Sequence, residues 1–277
     1  MAKALGLIGN FKGKLGNTVG YSLKDSNNKQ TQGVRVYQPV VRNPKTAAQA
    51  EQRMKLAPIN ATYRALKMVI DRGQEGKAYG NKSRLAWLKD ALKAFEGGYF
   101  EKGATITAPA LVPLTKGSLS IPSFADFSDE YIAIPGTQFV PAQITTIGSL
   151  SVALKAKISG LQEGDQLTFV QVNTDASGME TLIESIVIDS TSTASLPSWI
   201  SIDDGEVDFF NNKASGAAGA IIVSREGDNG AHLRTSTSLT RMLDYPSDTL
   251  APAAKQAAIE SYMSQGANTD WAEESLM

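Results

Sequence analysis

The sequence predicts an α+β protein: an N-terminal β-hairpin and a helical hairpin, followed by an antiparallel Ig-like β-sandwich and a C-terminal helix. Two short alternating segments near the N-terminus indicate the β-hairpin, and apolar residues at helical spacing follow them. From residue 104 the chain consists of short alternating runs separated by Gly, Pro, Ser and Asp, a texture typical of sandwiches. These textures divide the chain into the segments 1–42, 43–103, 104–246 and 247–277.

The β-hairpin is predicted from residues 18–23 and 33–37, which flank the turn-forming cluster 25–28. Its faces are only weakly apolar, and a two-stranded ribbon is marginally stable by itself in water. We therefore expect the hairpin to require a neighbouring surface or a partner chain.

The helical hairpin begins at Asn43, a good N-cap, with Pro44 at the first helical position. Pro58 interrupts the pattern, so the helix should kink or restart there, before it stops at 71–73. A second helix is predicted over 83–95 and should pack against the first. Its apolar face consists of Leu85, Leu88, Leu92 and Phe95, and Trp87 and Ala91 widen it.

The strands of the sandwich are predicted from runs of alternating apolar residues. Residues 149–158 alternate most regularly, as expected for a strand with one buried face. Residues 166–172 carry apolar residues on both faces, which indicates a strand covered on both sides or a bulge. A C-terminal helix should run from 251 to 263. The remaining candidate strands are 104–107, 118–121, 131–134, 181–188, 207–210, 218–224 and 233–242.

The charge is divided along the chain, although the formal net charge is only -1. Residues 1–120 contain 20 Lys and Arg against 7 Asp and Glu, whereas residues 121–277 contain 7 against 21. A basic segment attracts phosphates or acidic surfaces over long distances. The division therefore indicates either a basic module that packs on an acidic one within the molecule, or a basic module that meets a partner.

The composition excludes several kinds of chemistry. The chain has no Cys, which rules out disulfides, thiolate metal sites and thiol nucleophiles. His232 is the single histidine and is expected to be a polar loop residue, since neither a metal site nor a catalytic triad can be completed around it by a second His or a Cys. The acidic run 203–208 lacks a specific calcium-loop pattern and is expected to be an exposed turn. We predict no enzymatic activity, no cofactor and no metal.

The Gly- and Lys-rich start of the chain does not match a nucleotide-binding loop, because Leu15 follows Lys14 where Ser or Thr is required. It is better interpreted as a basic arm. No signal peptide or transmembrane segment is expected. Basic and aromatic residues of the arm and the first helix are the predicted contacts to a partner or a nucleic acid. They are Lys12, Lys14, Tyr21, Arg35, Tyr37, Arg42, Lys45 and Arg53.

Two motifs carry a resemblance to a known family. The chain reads GKLGNTVGY at 13–21 and VVRNPKTAAQAEQR at 40–53. It resembles a family of uncharacterised proteins from gut anaerobes and their viruses, in which a G-K-x-G-N-x-V hairpin precedes an N-P-[KR]-T-x-x-Q-x-x-x-R helix start. The motifs cover about the first 55 residues. The resemblance implies a viral setting, either a virion or the host cytoplasm, and brings no catalytic residue with it.

Three functional hypotheses follow. The first is a structural or assembly protein, associated with a virion, whose basic arm contacts identical subunits or other virion proteins. The second is a nonspecific nucleic-acid-binding protein that uses the basic first 120 residues, with binding that weakens steeply as salt is added. The third is a sandwich module that binds a ligand or carbohydrate, which an exposed row of aromatic residues or a deep polar pocket would favour.

Overall fold

A computed structural model describes residues 13–24, 30–37, 46–95, 98–107, 112–127, 132–136, 139–203, 205–210, 218–227, 230–241 and 251–264. It confirms the α+β class, with 30% helix and 35% strand in antiparallel sheets. The described residues belong to two compact units. One is a small sheet that precedes residue 46, and the other is a body that extends from residue 46 to the last described helix.

The N-terminal unit is a three-stranded antiparallel sheet with the order β1-β2-β3. The strands are β1 (Gly13–Leu15), β2 (Thr18–Lys24) and β3 (Gln30–Val36). Pairing of β2 with β3 over its full length confirms the predicted hairpin. The additional strand β1 forms because Gly16 has a φ of 57°, which glycine adopts without steric strain, so that the chain reverses tightly before Thr18.

The first helices of the body are α1 (Ala47–Ala65), α2 (Lys67–Ile70) and α3 (Asn81–Lys93). The predicted N-cap Asn43 lies outside the described residues, and Thr46 is the N-cap instead, its side chain accepting a hydrogen bond from the Gln49 amide at 3.3 Å. The helix does not restart at Pro58, which lies within α1. The interruption comes at Leu66, between α1 and α2.

Helix α3 buries most of the predicted apolar stripe, centred on the residues that widen it, and leaves Leu85 outside the core. Ser83, Trp87 and Ala91 are buried, whereas Leu85 is 57% exposed. Leu88, Leu92 and Phe95 are partly buried at the edge of the same core. The rings of Tyr63 and Trp87 lie 5.8 Å apart and bring α1 and α3 together.

The predicted strand 149–158 is wrong, because these residues form helix α4 (Ile147–Lys157). A capping box starts the helix: the Thr146 hydroxyl accepts a hydrogen bond from the Ser149 amide at 3.2 Å, and the Ser149 hydroxyl accepts one from the Thr146 amide at 3.1 Å. Leu150, Leu154 and Ile158 recur every four residues and are buried, while Val152 is 54% exposed. The helical period therefore describes this segment better than strand alternation.

The strands of the body form three antiparallel sheets. Five predicted strands are confirmed: 131–134, 166–172, 181–188, 207–210 and 218–224. Residues 104–107 form no strand, 118–121 contributes only a bridge at Leu119, and 233–242 is split into short strands. The strands are β4 (Pro113–Thr115), β5 (Asp126–Phe127), β6 (Ile132–Pro135), β7 (Gln166–Asp175), β8 (Gly178–Val187), β9 (Ile200–Asp203), β10 (Glu206–Phe209), β11 (Ala218–Glu226), β12 (His232–Arg234), β13 (Thr237–Ser238) and β14 (Thr240–Arg241).

The order of the strands defines a four-stranded sheet, β5-β6-β10-β9, and a five-stranded sheet, β12-β11-β7-β8, in which β14 also pairs with β11. Strands β13 and β4 form the third, two-stranded sheet. The inner faces of the two larger sheets share one core with α4, in which the rings of Phe169 and Phe209 stack at 3.8 Å. The body therefore contains two antiparallel sheets packed face to face.

The central part of the five-stranded sheet is buried on both faces. Leu167 and Phe169 point into the core shared with the four-stranded sheet, whereas Val170 and Val172 point into a second core formed with α1, α2 and α3. This confirms the prediction that strand 166–172 is covered on both sides. The final helix α5 (Pro252–Ser264), predicted over 251–263, packs on α1, and Lys255 forms an ion pair with Glu51 at 3.2 Å.

Candidate functional site

Four of the predicted contact residues lie on one face of the N-terminal sheet. The register places Lys14, Val19 and Arg35 side by side across β1, β2 and β3, and Tyr21 lies on the same face of β2. The Lys14 ammonium is 3.8 Å from the centroid of the Tyr37 ring, just beyond β3. We call this surface the basic–aromatic face, defined by Lys14, Tyr21, Arg35 and Tyr37.

Gly33 shapes the basic–aromatic face. It pairs with Tyr21 across the ladder, and a Cβ added to Gly33 would lie 2.5 Å from the Tyr21 ring. The Tyr21 ring therefore occupies the space that a side chain at Gly33 would take. An aromatic ring on a sheet beside cationic side chains is able to stack with a planar group or with a partner side chain.

The opposite face of the N-terminal sheet is aliphatic and exposed. Leu15, Thr18 and Val36 lie in one row across the three strands. Leu15 is 49% exposed and Val36 is 73% exposed. Among the described residues, no further strand pairs with the outer edge of β1 or β3. This aliphatic face, defined by Leu15, Thr18 and Val36, and the open edges are features that sheets use to contact other chains.

The other predicted contacts are not brought to this surface. Lys12, Arg42 and Lys45 lie outside the described residues. Arg53 is exposed on α1 and belongs to the body. The structure thus brings Lys14, Tyr21, Arg35 and Tyr37 together in the N-terminal sheet, whereas Arg53 belongs to the other compact unit.

Of the acidic run 203–208, Asp203 ends β9 and residues 206–208 begin β10. The expected exposed turn is therefore wrong for residues 206–208, which lie in a strand with Val207 buried. Burial raises the pKa of Asp208 from 3.8 to about 6, and the neighbouring Glu206 and Asp203 add to the effect. Asp204 lies outside the described residues. Within the described part of the chain, no three His, Asp or Glu side chains are grouped so that they could hold a metal ion. The run therefore offers no described cation site.

The body contains an open groove of about 1010 Å³ beside the five-stranded sheet. One wall is the loop 71–79 between α2 and α3, and the floor comes from β7, β8 and β11. His232, predicted to be a polar loop residue, is exposed at the start of β12 and lines the groove. The floor contributes Gln166, Thr168, Ile183, Ser185, Ile222 and Ser224.

A hydrogen-bond network anchors the groove wall to the strands. The Glu75 carboxylate accepts hydrogen bonds from the Ser118 amide at 2.8 Å, the Ser118 hydroxyl at 2.7 Å and the Arg234 amide at 3.3 Å. These bonds, led by the Ser118 hydroxyl, lower the pKa of Glu75 and keep it ionised. Burial lowers the pKa of Arg234; the charge of Glu75 opposes this shift, and the nearby Arg72 adds to it.

Comparisons with known proteins found no match to the chain among protein families, curated proteins or solved structures. None of the described helices is long and apolar enough to cross a membrane.

The groove has no signature in the sequence, because its lining comes from segments that lie far apart in the chain. The loop 71–79, strands within 166–185 and strands within 222–234 carry no common motif. The one local signal was Tyr79, an aromatic residue between Gly76 and Gly80 in a loop, where it packs into no helix or strand. Its 68% exposure is visible only in the structure.

Proposed function

We propose that the protein is a non-enzymatic structural or assembly protein, associated with a virion, which contacts neighbouring subunits through its basic N-terminal segment. The observation that carries the proposal is the aliphatic face on a sheet of three short strands. Leu15 and Val36 are exposed there, and a small sheet gains stability when its apolar face packs against another surface. A neighbouring subunit would supply that surface.

The size of the aliphatic face favours an assembly with several contacts over a simple pair. Completing the burial of Leu15 and Val36 would contribute about 2 kcal/mol per sheet. Association of two proteins costs at least about 4 kcal/mol in lost freedom of motion, so this contact alone holds no stable pair. In a particle each subunit makes several contacts, and together these weak contacts stabilise the assembly.

We also infer that the two larger sheets form an Ig-like sandwich. If the strands from β5 to β12 are given the letters A, B, C, C′, D, E, F and G, the sheets have the orders A-B-E-D and G-F-C-C′. Ig-like sandwiches place A, B, E and D in one sheet and C, F and G in the other. The departure is α4, which lies between B and C. Such a body suits a protein that acts through contact surfaces, although fold alone does not determine function.

The experiment is the native mass of the full chain by light scattering at about 50 μM, a concentration that populates contacts of micromolar affinity. We expect oligomers for the wild type and monomers for the double variant Leu15→Asp, Val36→Asp. The control Leu85→Asp places the same charge at an exposed leucine of α3, and it should leave the mass unchanged. A monomeric wild type, or a double variant that keeps the wild-type mass, would refute the proposal.

The second candidate is nonspecific binding of single-stranded nucleic acid, which the basic–aromatic face favours. Lys14 and Arg35 would neutralise phosphates, and Tyr21 would stack on a base. For a labelled oligothymidine, Arg35→Gln should flatten the plot of log affinity against log salt by about 0.7, the contribution of one phosphate contact. The exposed Arg64→Gln on α1 is the matched control. No binding at about 50 mM salt would exclude this candidate.

A further inference from the structure

The groove exists because the helices cover only part of the outer face of the five-stranded sheet. Val170, Ala220 and Ile222 lie in the core beneath the helices. Further along the same strands, the floor is polar: Gln166 lies opposite Ser224, and Ser185 lies opposite Thr168. A sheet face that exposes hydroxyl and amide groups beside a loop wall is a concave surface with hydrogen-bonding groups at several points.

The loop wall presents an aromatic ring and apolar side chains. Tyr79 is 68% exposed, and the guanidinium carbon of Arg72 lies 5.4 Å from the centroid of its ring. This cation–π contact holds the ring and leaves its exposed surface towards solvent. Met68, which is 74% exposed, lines the same groove. The groove therefore combines an aromatic platform with a polar floor.

Two guanidinium groups, those of Arg72 and Arg234, line the groove without a salt bridge to a described carboxylate. In the described part of the chain, no carboxylate oxygen lies within 4.0 Å of either group, although the charge of Glu75 acts on Arg234 from a greater distance. The guanidinium of Arg234 donates a hydrogen bond to the His232 carbonyl at 3.3 Å, while the Glu75 carboxylate accepts hydrogen bonds from Ser118 and from the Arg234 amide. A carboxylate from a ligand would satisfy both cations.

We propose that this groove binds a carboxylate-bearing oligosaccharide, with Tyr79 as the stacking platform, Arg72 and Arg234 as the carboxylate ligands, and the polar floor as partner of the sugar hydroxyls. The C–H groups on one side of a sugar ring carry partial positive charge and face the negative surface of an aromatic ring. Sugar hydroxyls pair with amide and hydroxyl groups such as those of Gln166, Thr168 and Ser185. This inference is independent of the assembly proposal.

The charge of the lining favours a sugar over a nucleic acid. Residues of both charges line the groove: Arg72, Lys77 and Arg234 stand among Asp71, Glu75 and Glu184. A polyphosphate chain binds along a continuous track of Lys and Arg, whereas here carboxylates interrupt the cations. An extended peptide would instead be expected at a strand edge, where its backbone finds partners, whereas the floor of this groove is the face of a sheet.

The experiment is isothermal titration calorimetry of the full chain with four carboxylated probes and two neutral ones. The carboxylated probes are trigalacturonate, an alginate trimer, a hyaluronan tetrasaccharide and 3′-sialyllactose; the neutral probes are cellotriose and lactose. We expect at least one carboxylated probe to bind with a Kd below about 1 mM, and the neutral probes to bind at least about tenfold more weakly.

Variants then assign the binding to the groove. Tyr79→Ala should weaken it by about threefold to tenfold, and Tyr79→Phe should preserve it, because the ring remains. Arg72→Gln should weaken it by about tenfold or more, whereas the matched control Arg64→Gln on α1 should have no effect. Thermal melting of each variant checks that it folds.

Three results would overturn the proposal. They are the absence of binding by all four carboxylated probes, equal affinity for neutral and carboxylated probes, and affinity that Tyr79→Ala and Arg72→Gln leave within twofold of the wild type. An acidic hexapeptide is included as a competitor. If it binds with higher affinity than every sugar, and Arg72→Gln weakens it, the groove is a peptide site and the sugar assignment is wrong.

Discussion

Arg225 and Asp165 form the ion pair whose loss should affect folding most. The Asp165 side chain is fully buried, while the Arg225 side chain is 20% exposed. The guanidinium donates two hydrogen bonds to the carboxylate, from Nε at 2.6 Å and from Nη2 at 2.7 Å. This bidentate bond to Asp165 raises the pKa of Arg225, so the arginine stays charged at every pH used for folding measurements. The perturbation is Arg225→Ala, which leaves Asp165 buried without its cation.

The expected magnitude follows from what the pair connects. Asp165 also accepts a hydrogen bond from the Gln162 amide at 2.7 Å, and Arg225 donates to the Gly160 carbonyl at 2.7 Å. The pair therefore joins the turn that follows α4 to strand β11. Removing one partner of a buried pair destabilises a protein by about 3–5 kcal/mol. A domain of typical stability has only about 5–15 kcal/mol, so Arg225→Ala should remove a large part of it.

The assay is urea unfolding of the full chain at pH 7, for Arg225→Ala, Asp165→Ala and the double variant. Because the two groups are coupled, the double variant should lose no more free energy of unfolding than the worse single variant. Lys116 and Asp90 supply the control, an ion pair of 3.3 Å in which Lys116 is 70% exposed. Lys116→Ala should change the free energy of unfolding by at most about 0.5 kcal/mol.

Two results would refute this reasoning. If Arg225→Ala costs less than about 1 kcal/mol with an unchanged dependence on urea, Asp165 is compensated by groups other than Arg225. If the losses of the two single variants add in the double variant, the contact contributes no coupling, and each residue acts through separate interactions.

Two further predictions concern Asp208 and Gly148. Because the pKa of Asp208 is raised from 3.8 to about 6, its contribution to stability is present below pH 3.8 and is lost as the pH rises through about 6. Asp208→Asn should therefore stabilise the protein more at pH 7 than at pH 4 in urea unfolding; an equal effect at both values would contradict this. A Cβ at Gly148 would lie 2.4 Å from the Ser192 carbonyl oxygen, so Gly148→Ala should destabilise by about 1–3 kcal/mol although alanine favours helices. A higher melting temperature for this variant would show that the loop containing Ser192 yields without strain.

The parts of the fold that the sequence predicts correctly are those with local signals. Turn formers at 25–28 separate β2 from β3, and apolar residues on both faces of 166–172 correctly indicated a strand buried on both sides. Segment 149–158 is ambiguous because Leu150, Leu154 and Ile158 fit a period of two as well as a helix. The hydrogen bonds between Thr146, which precedes the alternating run, and Ser149, its first residue, decide in favour of the helix.

The predicted contact surface, too, could be predicted only where its signals are local in the sequence. Lys14 and Arg35 could be assigned to a basic segment, but only the register of β1, β2 and β3 places them in one row. The groove depends still more on long-range structure, since Arg72 and Arg234 come from opposite ends of the body's sequence. The charge and type of each residue are known from the sequence, but the sequence does not show which distant residues lie side by side in a site.

The structure bears on the two interpretations of the divided charge, packing within the molecule and contact with a partner. The basic helices of residues 46–95 share a core with the five-stranded sheet of the acidic part, so a basic module and an acidic one pack together within the body. This packing within the molecule explains the basic charge of the helices without a partner. It does not extend to the N-terminal sheet, which forms a separate unit and carries Lys14 and Arg35. A partner attracted by basic residues would therefore contact the N-terminal sheet. Variants of that sheet test for such a partner without disturbing the core of the body.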